Sequence, residues 1–197
     1  MMEVKVTKIT SNMTVVDSAR MTVWKESLGK EPSSQFMSDI YFSGHSPIRD
    51  AIFTVDILGV KSWIATHLLR HTAGVTPYVS TQRDDRVTSE VKRDDIGQGA
   101  LVNMRLTLNA QSFINISRKR MCMMAHVETR VVWYEVLQAL KKVDEELFKC
   151  CVPECVYRGG ICPEGKHSCK YNFSQSFKDQ LRQYIEGHEN CYPTEVI

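Results

Sequence analysis

Apolar Ala51, Phe53, Val55 and Ile57 alternate with Ile52, Thr54 and Asp56. This period-2 pattern sends successive side chains to opposite faces of a strand. Gly59 punctuates the run. Beyond it Val60, Ile64 and Leu68 recur every four residues with Trp63 beside them, so the periodicity turns helical. That helix is expected to carry His67, Arg70 and His71 near its C-terminal end, and a short polar loop with Gly74, Pro77, Ser80, Gln82 and Arg83 follows. Strand, helix and a loop rich in Arg, His, Ser and Gln is how a fold commonly presents a site for an anion or a nucleotide. Cations at a helix end also suit the carbonyl end of the macrodipole with no function attached.

Val4, Val6 and Ile9 come close to alternation, and residues 13–16 are apolar and largely β-branched, which predicts an N-terminal strand. Residues 17–28 predict a short helix capped by Asp17 or Ser18, with Ala19, Val23 and Trp24 inward. Residues 29–35 read as a loop, and Met37 to Phe42 lead into the framework above. Leu101 to Leu108 has strand character, and Asn109 is an N-cap candidate for a long helix. On that helix Phe113, Ile116, Arg120, Met124, Val127, Val131, Tyr134 and Leu137 lie three or four apart and share a face. Arg120 falls inside the apolar stripe. A guanidinium there needs an anionic partner, either Glu128 two turns along the helix or a ligand. At the far end, residues 174–186 predict a helix capped by Ser174 or Ser176. Its apolar side, Phe177, Leu181, Tyr184 and Ile185, would pack on its own domain or on a neighbouring subunit.

A chain of 197 residues, 43% hydrophobic and 24% charged, fits one domain over 1–197 with a sizeable core. Its net charge of +2 gives no reason to invoke nucleic acid or an anionic membrane. No apolar run reaches about eighteen residues, and the N-terminus MMEVKVTKIT has no signal-peptide core. A cytoplasmic location is the expectation. Six of the seven cysteines follow residue 149, five of them in a Cys-rich segment over 150–170. Cys155, Cys162 and Cys169 are evenly spaced, with Cys150 and Cys151 upstream and His167 nearby. The C-x2-C pairs of specific zinc motifs are missing, so a metal, a redox pair and reduced structural thiols all stay open. Residues 84–99 are strongly charged and end in Gly97 and Gly99. They read as a solvated surface loop, or as a lid whose Arg83, Arg86 and Arg93 reach a phosphate.

On these residues the chain resembles the flavin-dependent thymidylate synthases, whose signature is Arg-His-Arg, seven arbitrary residues, then Ser. Arg70, His71 and Thr72 stand for the triplet and Ser80 holds the expected place. The lead-in HSPIRDAIFTVDILGVKSWIATHLLRH and the helix NAQSFINISRKRMCMMAHVETR are similar to the family's in the same order. Thr72 replaces the family's second arginine, and Gln82 stands where an arginine normally follows the serine, with Arg83 one place later. Only about twenty residues separate Arg86 from Asn109, where the family has some tens, including another phosphate-binding arginine.

The resemblance implies an α/β (α+β) fold with a central, mostly antiparallel sheet flanked by long helices. It also implies FAD as cofactor, NADPH and methylenetetrahydrofolate as co-substrates, and reductive methylation of dUMP to dTMP in a homotetramer with sites at subunit interfaces. Residue by residue, Arg70, His71, Asn109 and Asn115 fall at positions near the flavin. His67, which stands where the family usually has a Gln near the pyrimidine, Ser80, Gln82, Arg83, Arg86 and Arg120 fall at the nucleotide. No enzyme nucleophile is implied. Another pyrimidine nucleotide, hydroxymethyl instead of methyl transfer, or an inactive flavin- or nucleotide-binding homologue are the alternatives that the altered motif raises.

Overall fold

The structure, a computed structural model, describes residues 2–83, 85–86 and 91–188. Its elements in chain order are β1 (Glu3–Lys8), α1 (Asn12–Met21), α2 (Ser34–Ser43), β2 (Ile52–Lys61), α3 (Ser62–Leu69), β3 (Val75–Val79), β4 (Leu101–Asn109), α4 (Ala110–Arg120), α5 (Val127–Lys141), α6 (Glu145–Cys150), α7 (Glu154–Tyr157) and α8 (Gln175–Glu186). Four strands form one sheet in the order β1-β2-β4-β3, every pair antiparallel. The alternation in β2 has the expected result: Phe53, Val55 and Ile57 are fully buried. On the same face β4 adds Val102, Met104, Leu106 and Leu108, and α4 and α5 cover them. Phe53 meets Phe113 edge-to-face at 5.3 Å. Each such side chain contributes about 1.5–3 kcal/mol by leaving water. The opposite face of the sheet is polar, with Arg105 gripping Asp56 through two bonds of 2.5 and 2.7 Å.

Five local expectations give way. Residues 13–16 belong to α1, because Val15 and Val16 both turn into the core from a helix that starts at Asn12. That helix ends at Met21, so Val23 is exposed and Trp24 is 99% exposed with φ +59°, where inward positions were expected. Gly59 does not end β2. It sits at a register shift between Ile57 and Val60, and the strand continues to Lys61. Residues 75–79, read as loop, form β3, an edge strand in which Pro77 is tolerated.

The fifth concerns the long helix, which breaks at Met121–His126 into α4 and α5. The break changes the phase. Val132, Trp133, Val136 and Leu140 become the buried face of α5, while Met124 (55%), Val127 (54%) and Val131 are exposed. His126 caps the new start through its side chain, accepting from the Glu128 N–H. A buried bond from Trp133 Nε1 to Ser117 Oγ, 2.9 Å, locks the two helices together and so fixes the end of α4. The C-terminal helix α8 matches expectation, capped by Ser174 and packed on its own chain with Phe177 and Tyr184 buried.

Candidate functional site

The end of α3, the turn that follows it and the whole of α4 lie side by side. At the start of α4, Asn109 Oδ1 accepts from the Ser112 N–H and hydroxyl, both at 2.9 Å. Ser112 Oγ lies within hydrogen-bonding distance of the Ala73 and Gly74 carbonyls, at 2.8 and 3.0 Å. The turn can lie that close because Gly74 has no side chain. A Cβ there would stand 2.6 Å from both Asn109 Nδ2 and Ser112 Oγ, and its φ is +69°. At the other end of α4, Arg120 Nε donates to His71 Nε2 at 2.8 Å and Nη2 donates to the His67 carbonyl at 2.5 Å.

The Arg120–His71 contact has a definite electrostatic form. Burial, and then the Arg120 charge, pull His71 down to about 4. The ring is therefore neutral near pH 7, with its proton on Nδ1, and only that form can accept from the guanidinium. Burial, and then Arg70, also lower the Arg120 value. The expected partner Glu128 is elsewhere: the helix break sends it to Lys61, 2.5 Å away. Among the described residues Arg120 has no carboxylate within ion-pair distance. A half-buried cation compensated by a carbonyl and a neutral ring retains its full charge for a further, anionic partner.

His67 is held separately. Its Nδ1 is 2.9 Å from Thr129 Oγ1, and its ring stands edge-on to Trp63 at 5.4 Å. Burial, then Arg120 and Arg70, lower its pKa as well. Thr129 was not singled out in sequence; it is fully buried on α5 and reaches α3 only because that helix restarts at Val127. Arg70 caps α3, is exposed and forms no ion pair among the described residues. Ser80 is exposed and continues the β3–β4 pairing: its N–H donates to the Asn103 carbonyl at 2.8 Å and its Oγ accepts from the Asn103 N–H at 3.0 Å. Gln82 is half-buried.

Several expected residues stand apart from this cluster, and Ser80 and Gln82 are among them, past the Val79 end of β3, whose opposite end at Val75 is the one beside α4. Arg83 is clamped by Asp85 through bonds of 2.8 and 2.6 Å, and Arg86 lies 3.7 Å from the same carboxylate. Asn115 is exposed, its Oδ1 accepting from Gln111 at 3.3 Å. It points about 140° around α4 from Arg120. The cysteines divide into two sets. Cys150 and Cys151 are core residues, whereas Cys155, Cys162 and Cys169 line a cavity that Arg120 also borders. Among the described residues no three His, Cys, Asp or Glu side chains stand at metal-ligand spacing.

No family model matches the chain. Curated relatives do: the flavin-dependent thymidylate synthase of Clostridium tetani is 44% identical over 63 residues, 32% of this chain and 24% of that protein. The enzyme of the same name from Saccharolobus solfataricus is 28% identical over 105 residues, 53% of this chain and 40% of that protein. The chain thus spans about a quarter to two fifths of the curated relatives it matches. In fold it is similar to thymidylate synthase X of Helicobacter pylori, solved with FAD and dUMP, with a TM-score of 0.62 and 16% identity over 77% of this chain and 99% of that one. A UMP/dUMP methylase, PolB from Streptomyces cacaoi, solved with 5-Br dUMP, gives 0.60 and 13% over 76% and 94%.

The antiparallel sheet with its flanking helices is therefore the α/β fold of the thymidylate synthase X class. In sequence the chain is similar to flavin-dependent thymidylate synthases over the part of each that it matches.

Proposed function

We propose that the chain works as a single flavoenzyme domain on a pyrimidine deoxynucleotide and carries out reductive methylation of dUMP to dTMP. FAD is the cofactor, and NADPH and methylenetetrahydrofolate are co-substrates. The observation that carries this reading is Arg120, a half-buried guanidinium held by neutral His71 and a carbonyl, with no carboxylate of its own among the described residues. Its charge is directed to the nucleotide phosphate or to the pyrimidine edge as that ring becomes electron-rich.

The donors fit a dinucleotide cofactor: Arg70 is an exposed cation, and Asn109 spends its oxygen on capping while its amide nitrogen faces the Gly74 turn. The flavin supplies the hydride chemistry that no side chain carries. His67, oriented by Thr129, directs its other ring nitrogen to the pyrimidine, and Ser80, tied to Asn103, contacts the nucleotide. Arg83 and Arg86 reach the phosphate once Asp85 releases them, which makes the 83–86 turn part of binding. Asn115 joins the site across a subunit boundary in a homotetramer, since within one chain it faces away from Arg120. The exposed apolar side of α5, with Val127, Val131 and Tyr134, supports such an assembly. Thr72, Gln82 and the similarity to a UMP/dUMP methylase support a second reading, in which another pyrimidine nucleotide is modified, with hydroxymethyl transfer as one form.

The test is the visible spectrum of the purified protein, followed by titration with FAD in the presence and absence of dUMP. Near-stoichiometric flavin whose band shifts with dUMP is the expected result. Arg120→Ala should weaken dUMP binding by about 2–5 kcal/mol with the fold retained. A protein that takes up no FAD, or an Arg120→Ala variant that binds dUMP as the wild type does, defeats the reading. Flavin binding without turnover leaves an inactive homologue, and product from UMP or dCMP in place of dUMP favours the second reading.

A further inference from the structure

Two cavities of about 700 and 550 Å³ lie side by side between α1 and α2 and share Ala19, Val23 and Phe36 as a common wall. They form one cleft. Its outer half has an apolar floor of Val16, Val23, Leu28 and Phe36, and its rim carries Arg20, Lys25 and Lys30 against the single carboxylate of Glu31. Its inner half ends at Ser43, His45, Ser46 and Pro47. Gly44, within that end, brings it against α4: a Cβ there would stand 3.9 Å from Gln111 Oε1, two residues beyond Asn109. The cleft thus runs from the start of α4, where the function proposed above places the flavin, out to a basic mouth.

The three cations of the mouth are uncommitted. Among the described residues none of them forms an ion pair. Arg20 donates from Nε to the Glu26 carbonyl at 2.6 Å, which fixes the guanidinium and leaves its two terminal nitrogens for a two-pronged carboxylate bond. The acid of the inner half, Asp39, accepts from Gln35 at 2.8 Å. The segment that carries Lys25 and Lys30 also holds Trp24 at a left-handed φ of +59°, a conformation rare for a bulky side chain and concentrated at ligand-binding segments. Its neighbours on both sides, Val23 and Lys25, line the cleft.

We propose that this cleft holds the p-aminobenzoyl and glutamate portion of the folate co-substrate, with Arg20, Lys25 and Lys30 selecting forms that carry several glutamates. The inference rests on the function proposed above and adds a specificity to it. The match follows the order of groups in the ligand. An aromatic ring suits the apolar floor, and carboxylates strung along a chain suit cations supplied one by one by α1 and the segment after it. The ring end of the co-substrate then faces α4. A nicotinamide dinucleotide would instead bring a compact diphosphate, which calls for converging backbone amides. At the α2 start the Phe36 amide is already taken by Ser33 Oγ. Exposed charge pairs are individually weak, so discrimination arises from their number.

Isothermal titration calorimetry of the full chain with p-aminobenzoyl-glutamate and with p-aminobenzoyl-triglutamate tests this without turnover. The triglutamate should bind about tenfold more tightly, the size of two exposed charge pairs. Most of that margin should vanish between about 0.05 and about 0.5 M salt. In the double variant Lys25→Glu/Lys30→Glu the margin should be lost; both positions are exposed, so the fold is retained. Equal affinities for the two probes, no heat from either, a double variant that binds as the wild type does, or displacement of the triglutamate by NADPH overturns the proposal. The wild-type comparison decides the matter even where the variant does not fold. No flavin enters these titrations. A chain that takes up no FAD yet prefers the triglutamate defeats the function proposed above and upholds the cleft, whereas one that binds FAD and dUMP but ignores glutamate number defeats this inference alone.

Discussion

Protonating His71 sets two cations against each other where one bond now exists. In the folded chain its pKa lies at about 4, against an ordinary value of 6.5. Between those values the unfolded state binds more protons than the folded one, so stability rises with pH through this window. The contribution is fully present above about 6.5 and is lost as pH falls towards about 4. The interval corresponds to about 3 kcal/mol at most, and screening at a half-buried site reduces it to about 1–2 kcal/mol. The comparison that isolates it is His71→Gln, whose amide oxygen accepts from Arg120 Nε at any pH. Urea unfolding followed by circular dichroism at about pH 7.5 and about pH 4.5 gives both stabilities at each condition. On acidification the wild type should lose about 1–2 kcal/mol more than the variant. An unchanged difference between the two proteins would refute a neutral His71 accepting from Arg120, and a wild type that gains on acidification would reverse the sign.

Two further predictions concern the supports of the site. Gly74→Ala places a methyl 2.6 Å from Asn109 Nδ2 and Ser112 Oγ at a φ of +69°, at a cost of about 1–3 kcal/mol. Differential scanning calorimetry should show Tm lowered by about 2–10 °C, and an unchanged Tm means the turn does not pack on the α4 N-terminus as described. Thr129→Val preserves shape and removes the hydroxyl beside His67 Nδ1, costing about 1 kcal/mol. Nitrogen-15 NMR of the imidazole should show one dominant tautomer in the wild type and a mixture in the variant; the same spectrum in both proteins would show that Thr129 does not orient the ring.

The parts of this fold that could be read in advance are those whose cause is local. The alternation of Phe53, Val55 and Ile57, the capping amide of Asn109 and the amphipathic α8 each depend on residues within a turn or two. The break between α4 and α5 was hidden because apolar residues continue at helical spacing through Met124 and Val127, although the chain there leaves the helix. That coincidence also misplaced Arg120's partner, since Glu128 is two turns away only along an unbroken helix. β3 exists because β4 offers it a pairing edge, a cause outside residues 75–79 themselves. In the site, Arg70, His71 and Arg120 were legible as a constellation, and the neutral state of His71 was not, because it follows from burial. Cys122 carried no signal at all, being 33 residues from Cys155 along the chain and its neighbour at the cavity only through tertiary packing.

The turn that bears the signature is anchored almost entirely by atoms other than its variable side chains. The carbonyl of Thr72 accepts the Val75 N–H, Gly74 rests on Ser112, and Ser80 is tied to Asn103 by its own backbone and hydroxyl. The side chain of Thr72 is exposed and enters none of these contacts. Substitution at this position therefore removes none of the contacts that anchor the turn. On the function proposed above, nucleotide preference can change through residue 72, and through Gln82 beyond the anchor, without loss of these contacts. Those two positions are where a combinatorial library would change specificity at the least risk to expression.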